Sequence, residues 1–222
     1  MYNVASFIQA LTINSESIIN HYINNFSHRI QHEKVNGMSI KAYYLTTCDP
    51  KLNIFDKLPM RKGDITEIDK NGNTLLHLAT KNKLPDISYH LLTLGSSISS
   101  VNFQGYTPLH YMFMNSVLFY RIICTFMHEV YINKTNPNDF NTAYLTCDKN
   151  NKIPLQYSVK EFYSPVVISH IFDYESVRSS CSNTKIPIIL KSINLLEKPR
   201  SEDFITIHNF LQKNFDNNYL KI

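Results

Sequence analysis

The chain has no tryptophan, only five glycines in 222 residues, and four cysteines that lie far apart. With so few glycines, neither G-x-G-x-x-G nor G-x-x-x-x-G-K can be assembled, which excludes the glycine-rich phosphate loops of nucleotide binding. Cys48, Cys124, Cys147 and Cys181 show no C-x-x-C pairing. Zinc-ribbon and dithiol redox patterns are excluded on that ground, and buried free thiols in a reducing compartment are expected. No run of about 18 apolar residues occurs, and Met1 to Ala10 lacks a basic stretch followed by an apolar core. The expectation is a soluble, cytoplasmic protein with no membrane partner; on the same ground the Asn133-Lys134-Thr135 sequon is read as accidental.

Runs of one charge are missing too. The net charge of +4 is spread along the chain, and the densest basic stretch, Lys57 to Lys62, is interrupted by Leu58, Pro59 and Met60. It reads as a solvated loop, and no nucleic-acid partner is expected. The 14 tyrosines and 13 phenylalanines are not interleaved with basic groups as a single-strand-binding platform requires. Tyr89, Tyr111, Phe126, Tyr157 and Phe172 fall instead at helix-core positions. A 43% apolar, 18% charged composition is that of a packed globular protein.

What is present is a repeat. Asp69-Lys70-Asn71-Gly72-Asn73-Thr74-Leu75-Leu76-His77-Leu78-Ala79 returns as Asn102-Phe103-Gln104-Gly105-Tyr106-Thr107-Pro108-Leu109-His110-Tyr111-Met112, with Thr74 and Thr107, and Gly72 and Gly105, each 33 residues apart. Pro154, in Lys152-Ile153-Pro154-Leu155-Gln156-Tyr157, lies 46 residues after Pro108, which is 33 plus an insertion of 13. Pro187, in Lys185-Ile186-Pro187-Ile188-Ile189-Leu190, follows Pro154 by another 33. Backwards, Asn36-Gly37-Met38-Ser39-Ile40 parallels Asn71 to Leu75 at a spacing of 35. Upstream, Ile18, Ile19, Tyr22, Ile23 and Phe26 have helical spacing, so a helical cap is expected over residues 1–33. Local chemistry agrees with the period. Gly72 and Gly105 suit a left-handed turn tip, Thr107 can cap a helix opened by Pro108, and a second helix follows Pro85 with Ile87, Leu91, Leu92 and Leu94 on its apolar face.

Thr107-Pro108-Leu109-His110 matches the first four positions of the T-P-L-H-x-A signature of ankyrin repeats; Thr74 to Ala79 keeps all but the proline, and Leu91-Leu92-Thr93-Leu94-Gly95 fits the family's L-L-x-x-G ending. The chain thus resembles the ankyrin family. The resemblance implies an all-α solenoid with short β-hairpin loops and about four to five repeats, near 34–68, 69–101, 102–147 with the insertion, 148–180 and a degenerate 181–222. Composition and irregular repeats also resemble poxviral ankyrin proteins that act on host signalling or ubiquitin-ligase components, and the stronger repeats resemble inhibitor-of-NF-κB proteins. No F-box-like segment is evident in Asp203 to Ile222, where Phe204 to Leu211 reads as a capping helix.

Catalytic chemistry is not found. There is no G-x-S-x-G elbow and no H-E-x-x-H motif, so no enzyme, cofactor or metal is expected. The resemblance gives His77 and His110 a structural role, hydrogen-bonding the backbone of neighbouring turns. His90, His128, His170 and His208 lack a ligand-spaced partner. His28 and His32 have ligand spacing but no third ligand near them, and read as solvent-facing.

Function is then expected to be protein binding, through the concave face that stacked hairpins and first helices create. The resemblance maps this face to Lys70, Asn71, Asn73, Lys81 and Asn82 in one repeat, to Phe103, Gln104, Tyr106, Met114 and Asn115 in the next, and to Lys149, Asn150, Lys152, Lys160 and Glu161 in the third. Phe103 and Tyr106 are the aromatic anchors, unless they pack across adjacent hairpins; the lysines suggest an acidic partner patch. The alternatives are a largely structural fragment of a longer ankyrin protein, or a ubiquitin-ligase adaptor.

Overall fold

In a computed structural model of the protein, the described residues are 3–61, 63–115, 118–119, 142–143, 146–154 and 157. Most of the 134–146 insertion, the 148–180 repeat beyond Tyr157 and all of 181–222 lie outside them. So do Cys124, Cys181, Phe126, Phe172, Lys160, Glu161, His128, His170 and His208. The protein divides into two compact units, 1–104 and 105–222.

In the first unit, α1 (Val4–Thr12) starts where the Asn3 side chain accepts from the Ala5 and Ser6 amides at 3.0 and 3.4 Å. Helix α2 spans Glu16–Ile30, with a kink at Phe26. Strands β1 (Lys34–Val35) and β2 (Met38–Ser39) pair antiparallel, Lys34 opposite Ser39 and Val35 opposite Met38. Asn36 and Gly37 turn the hairpin at φ 53° and 79°, the positive pair that a two-residue loop matching strand twist requires. Ser39 accepts from the Ala42 amide at 3.4 Å and so opens α3 (Ile40–Thr47). Then come α4 (Leu52–Lys57), α5 (Leu75–Lys81) and α6 (Pro85–Thr93). In the second unit α7 spans Pro108–Met114. Pro85 and Pro108 each occupy a first turn, where the missing N–H leaves no helical bond unmade.

Three helix ends close alike. Asn14 (φ 52°), Lys83 (φ 61°) and Gly95 (φ 88°) are left-handed, and the following residue donates back into the helix: Ser15 N to Ala10 O at 2.9 Å, Leu84 N to Ala79 O at 3.0 Å, Ser96 N to Leu91 O at 3.0 Å. This closure satisfies carbonyls that a helix end would otherwise leave bare.

The helices of the first unit form two layers. In one, α1 packs on α3 and α3 on α5; in the other, α2 packs on α4 and α4 on α6; α1 pairs with α2 and α5 with α6 across them. Between the layers lie Phe7, Leu11, Ile19, Tyr44, Leu45, Ile54, Phe55, Leu76, Ala79, Ile87 and Leu91, all buried. Polar side chains stitch successive turns: Asn14 Nδ2 donates to Asp49 O at 2.8 Å, the Tyr44 hydroxyl donates to Asn14 Oδ1 at 2.7 Å, and Asn82 Nδ2 donates to Leu45 O at 2.7 Å. Lys41 is 3% exposed; its ammonium donates to Phe55 O at 2.7 Å and sits 4.1 Å from the Phe55 ring centre. Burial pulls its pKa down to about 8, against the pull of Asp56 and Asp64.

Four sequence expectations change. Leu94 is exposed rather than on the buried face, because the closing turn of α6 carries it past the last buried position, Leu92. The Lys57–Arg61 stretch is held by ion pairs, not merely solvated: Lys57 meets Glu16 at 2.7 Å, and Arg61 meets buried Asp64 at 2.8 Å and Glu67 at 3.4 Å. Cys48 is half-buried and Cys147 exposed, both as free thiols. Tyr89 and Tyr157 are half-buried rather than core.

Candidate interaction surface

The recurring turns are built on one carboxylate design. Asp69 Oδ1 accepts from the amides of Asn71 and Asn73, both at 2.8 Å; Gly72 N donates to Asp69 O at 2.9 Å, and Asp69 N to Asn73 O at 2.9 Å. In the second unit Asp148 repeats it. Its Oδ1 accepts from Asn150 N at 2.8 Å and Lys152 N at 2.9 Å, Asn151 N donates to Asp148 O at 3.0 Å, and Asp148 N to Lys152 O at 3.0 Å. Asn151, at φ 59°, takes the place of the turn glycine, as asparagine tolerates better than most residues. The third copy keeps its turn although threonine and histidine are lost from its motif. Burial pushes both carboxyls up, but the hydrogen bonds from Asn73 and Asn71 to Asp69, and from Tyr157, Lys152 and Asn150 to Asp148, outweigh it and hold both below the usual aspartate value.

Glycine at the turn tip serves close approach as much as backbone sign. At Gly72 (φ 78°) a Cβ would lie 2.9 Å from Phe103 N and 2.8 Å from Phe103 Cδ1, and Phe103 N donates to Asn71 O at 3.0 Å. At Gly105 (φ 84°) it would lie 2.9 Å from both Asp148 Cα and Lys149 N. Within each unit, the residue after one Asx position rides on the preceding turn's glycine. Asn102 Nδ2 adds a bond to Asn73 Oδ1 at 2.8 Å.

The histidines lock turn to helix. His77 Nδ1 accepts from Thr74 N at 3.1 Å and lies 2.9 Å from the Thr74 hydroxyl; His110 repeats this with Thr107 at 3.0 and 2.9 Å. With Nδ1 accepting, the proton of His110 resides on Nε2, which donates to Lys152 O at 3.1 Å. Burial lowers the pKa of His110, consistent with a neutral ring.

The site residues read from sequence divide by exposure. Lys70, Lys81, Phe103, Gln104, Lys149 and Lys152 are exposed. Phe103, 59% exposed, stands on the turn that carries Lys70, so these two and Gln104 belong to one neighbourhood. Asn73 departs from expectation: it is 3% exposed, bonded to Asp69 and Asn102, and holds the turn instead of facing a partner. Tyr106 is half-buried, its ring 5.4 to 5.9 Å from those of His110, Tyr111 and Tyr157. Its hydroxyl is 3.4 Å from that of Tyr157, which donates in turn to Asp148. Tyr106 therefore packs across adjacent turns. Met114 and Asn115 are half-buried, and Asn115 Nδ2 donates to Tyr111 O at 3.0 Å at the end of α7.

Two residues were missed. Ile68 and Val101, 54% and 52% exposed, precede Asp69 and Asn102 by one position, so each repeat shows an exposed apolar residue at the same place before its turn. Their 33-residue spacing was readable, but an isoleucine and a valine at a turn edge look like core residues until the turn's direction is known.

Few other sites compete. His28 and His32 are exposed, with ring centres 5.3 Å apart, His32 lying beyond the end of α2. Among the described residues no three His, Cys, Asp or Glu side chains are placed to hold a metal ion, and no helix is long and apolar enough to cross a membrane. A hollow lined by Gly37, Met38, Asp64, Asp69 and Asn73 has a volume of ≈ 20 Å³, room for one water, against the several hundred Å³ or so of a small-molecule site.

No family model matches the protein. No curated protein matches it either.

Proposed function

We propose that the protein is an ankyrin-type interaction module, without catalytic activity, that binds a protein partner on its turn face around Phe103. The observation that carries this is an exposed phenylalanine on a hydrogen-bonded base: its amide is bonded to Asn71 O, its ring stands against Gly72, and both Gln104 beside it and Lys70 on the turn beneath it are exposed. A large ring carried on a backbone held this way needs little backbone ordering on binding, a property of interface anchors. The 33-residue spacing, the two helical layers and the Thr–His locks support the ankyrin reading.

A phenylalanine has about 200 Å² to bury. Covering the exposed part here would contribute roughly 2–3 kcal/mol. Lys70 and Lys81, exposed in the same unit as Phe103, favour a partner with acidic residues near its apolar contact, with an association rate that falls as salt rises. Resemblance to poxviral ankyrin proteins makes host signalling and ubiquitin-ligase components the first partners to try.

The test is affinity capture with wild type and Phe103→Ala, each checked by circular dichroism. The reading requires a protein retained by wild type and lost, or bound about 30-fold more weakly, by the variant. Identical captured sets from two folded proteins would refute it.

A further inference from the structure

Two of the five glycines follow an asparagine, at Asn36-Gly37 and Asn71-Gly72. Asn-Gly is the dipeptide in which a backbone amide most easily reaches the preceding side chain, since glycine has no Cβ to obstruct it. The two copies sit in opposite circumstances.

Asn71-Gly72 is tied on every side. The Gly72 amide donates to Asp69 O at 2.9 Å, the Asn71 amide to Asp69 Oδ1 at 2.8 Å, and Asn71 O accepts from Phe103 N at 3.0 Å. Phe103 leaves no room even for a methyl group on Gly72. Asn36-Gly37 is the tip of the β1–β2 hairpin. Both residues are exposed, the ladder pairs only Lys34 with Ser39 and Val35 with Met38, and a Cβ on Gly37 would meet nothing within 4 Å. The ladder that would hold this turn has two residues a strand, too few for a hairpin to be stable alone.

We propose that Asn36 is a site of spontaneous deamidation through a succinimide, and that Asn71 is protected from the same reaction by the fold. The Gly37 amide nitrogen loses its proton to base and attacks Asn36 Cγ; the new C–N bond closes a five-membered imide as the bond between Cγ and Nδ2 breaks and ammonia leaves. Water then opens the imide at either carbonyl, giving aspartate or isoaspartate. One water is consumed, one ammonia is released, and nothing is oxidised or reduced. Either product adds a negative charge two residues from Lys34, which pairs with Glu67, and isoaspartate also lengthens the backbone by one carbon within the turn. The longer backbone shifts the pairing that brings Ser39 to the start of α3.

The inference is independent of what the turn face binds. It is tested by ageing the full-length protein, folded, in mildly alkaline buffer beside a urea-denatured sample, then mapping peptides by mass spectrometry. In the folded protein Asn36 is expected to convert about 30-fold faster than Asn71, the retardation set by two ordinary hydrogen bonds that must open first. Denaturation should erase the difference. Ion exchange gives a second readout: an acidic species should accumulate from wild type but not from Asn36→Gly, which preserves the left-handed turn. Asn71 keeping pace in the folded protein would overturn the inference. So would Asn36 remaining intact after the denatured sample has converted, or the acidic species forming equally fast in Asn36→Gly.

Discussion

Replacing Gly72 and Gly37 by alanine, one at a time, isolates the close approach of successive turns. Both glycines are left-handed, at φ 78° and 79°. An alanine there costs about 1–2 kcal/mol in backbone conformation, partly offset by roughly 0.4–1 kcal/mol from a less flexible unfolded state. At Gly37 the new methyl meets nothing, so a net loss of about 0.5–1 kcal/mol follows. At Gly72 it meets Phe103 Cδ1 at 2.8 Å, which a ring rotation can relieve, and Phe103 N at 2.9 Å, which it cannot. Relief requires parting the two turns and losing the Phe103 N to Asn71 O bond, adding about 2 kcal/mol. Urea unfolding followed by circular dichroism reads both, the midpoint shifting at constant slope. Gly72→Ala should be the less stable by about 2 kcal/mol. Equal losses would refute the packing of Phe103 on the preceding turn, and with it the hydrogen-bonded base proposed for the binding face.

Other substitutions test other joints. Lys41→Met removes an ammonium whose folded pKa is depressed from 10.5 to about 8. The unfolded state binds the extra proton between those values, so wild-type stability should rise with pH through that window, by at most about 3 kcal/mol; the rise should be absent from Lys41→Met in paired denaturation series. His110→Ala strands the Thr107 amide and Lys152 carbonyl and should cost about 2–4 kcal/mol by thermal or urea unfolding. The lowered pKa of His110 also makes stability fall as pH drops just below the ordinary histidine value, since the unfolded state takes the proton first, and His110→Gln should flatten that slope. Lys83→Gly relieves a left-handed lysine and should raise stability by about 0.5–1 kcal/mol. Tyr106→Ala should cost about 1–2 kcal/mol in stability where Phe103→Ala costs under about 1, because only Tyr106 is enclosed by other rings.

Much of the local architecture could be read from the sequence because it depends on short-range chemistry. Thr74 and Thr107 three residues before a histidine, proline at a first helical position and glycine at a turn tip each name one backbone conformation. The side chains that hold the turns were less visible: Asp69 and Asp148 by a carboxylate, and Asn102 by an amide oxygen that accepts from Gln104 N at 3.0 Å, follow one design, yet aspartate and asparagine occur so often in turns that only their shared partners reveal it. Exposure was hardest to infer. Asn73 and Lys70 lie three residues apart in one turn, and pattern alone cannot say that Asp69 and Asn102 draw one inward and leave the other in solvent. Phe103 and Tyr106 looked equivalent; neighbouring rings enclose only Tyr106. Lys41 was missed entirely, since nothing in Ser39-Ile40-Lys41-Ala42 signals an ammonium bonded to a carbonyl fourteen residues on.

The central claim is that an exposed Phe103 on a hydrogen-bonded base holds a protein partner. Quantitative affinity capture comparing wild type with Phe103→Glu tests it most directly, since the substitution places a charge on the proposed contact and leaves a residue of similar length in solvent. The account requires a partner enriched by wild type and lost from a variant that unfolds at nearly the same urea concentration. The same partners captured in the same amounts by both proteins would contradict it.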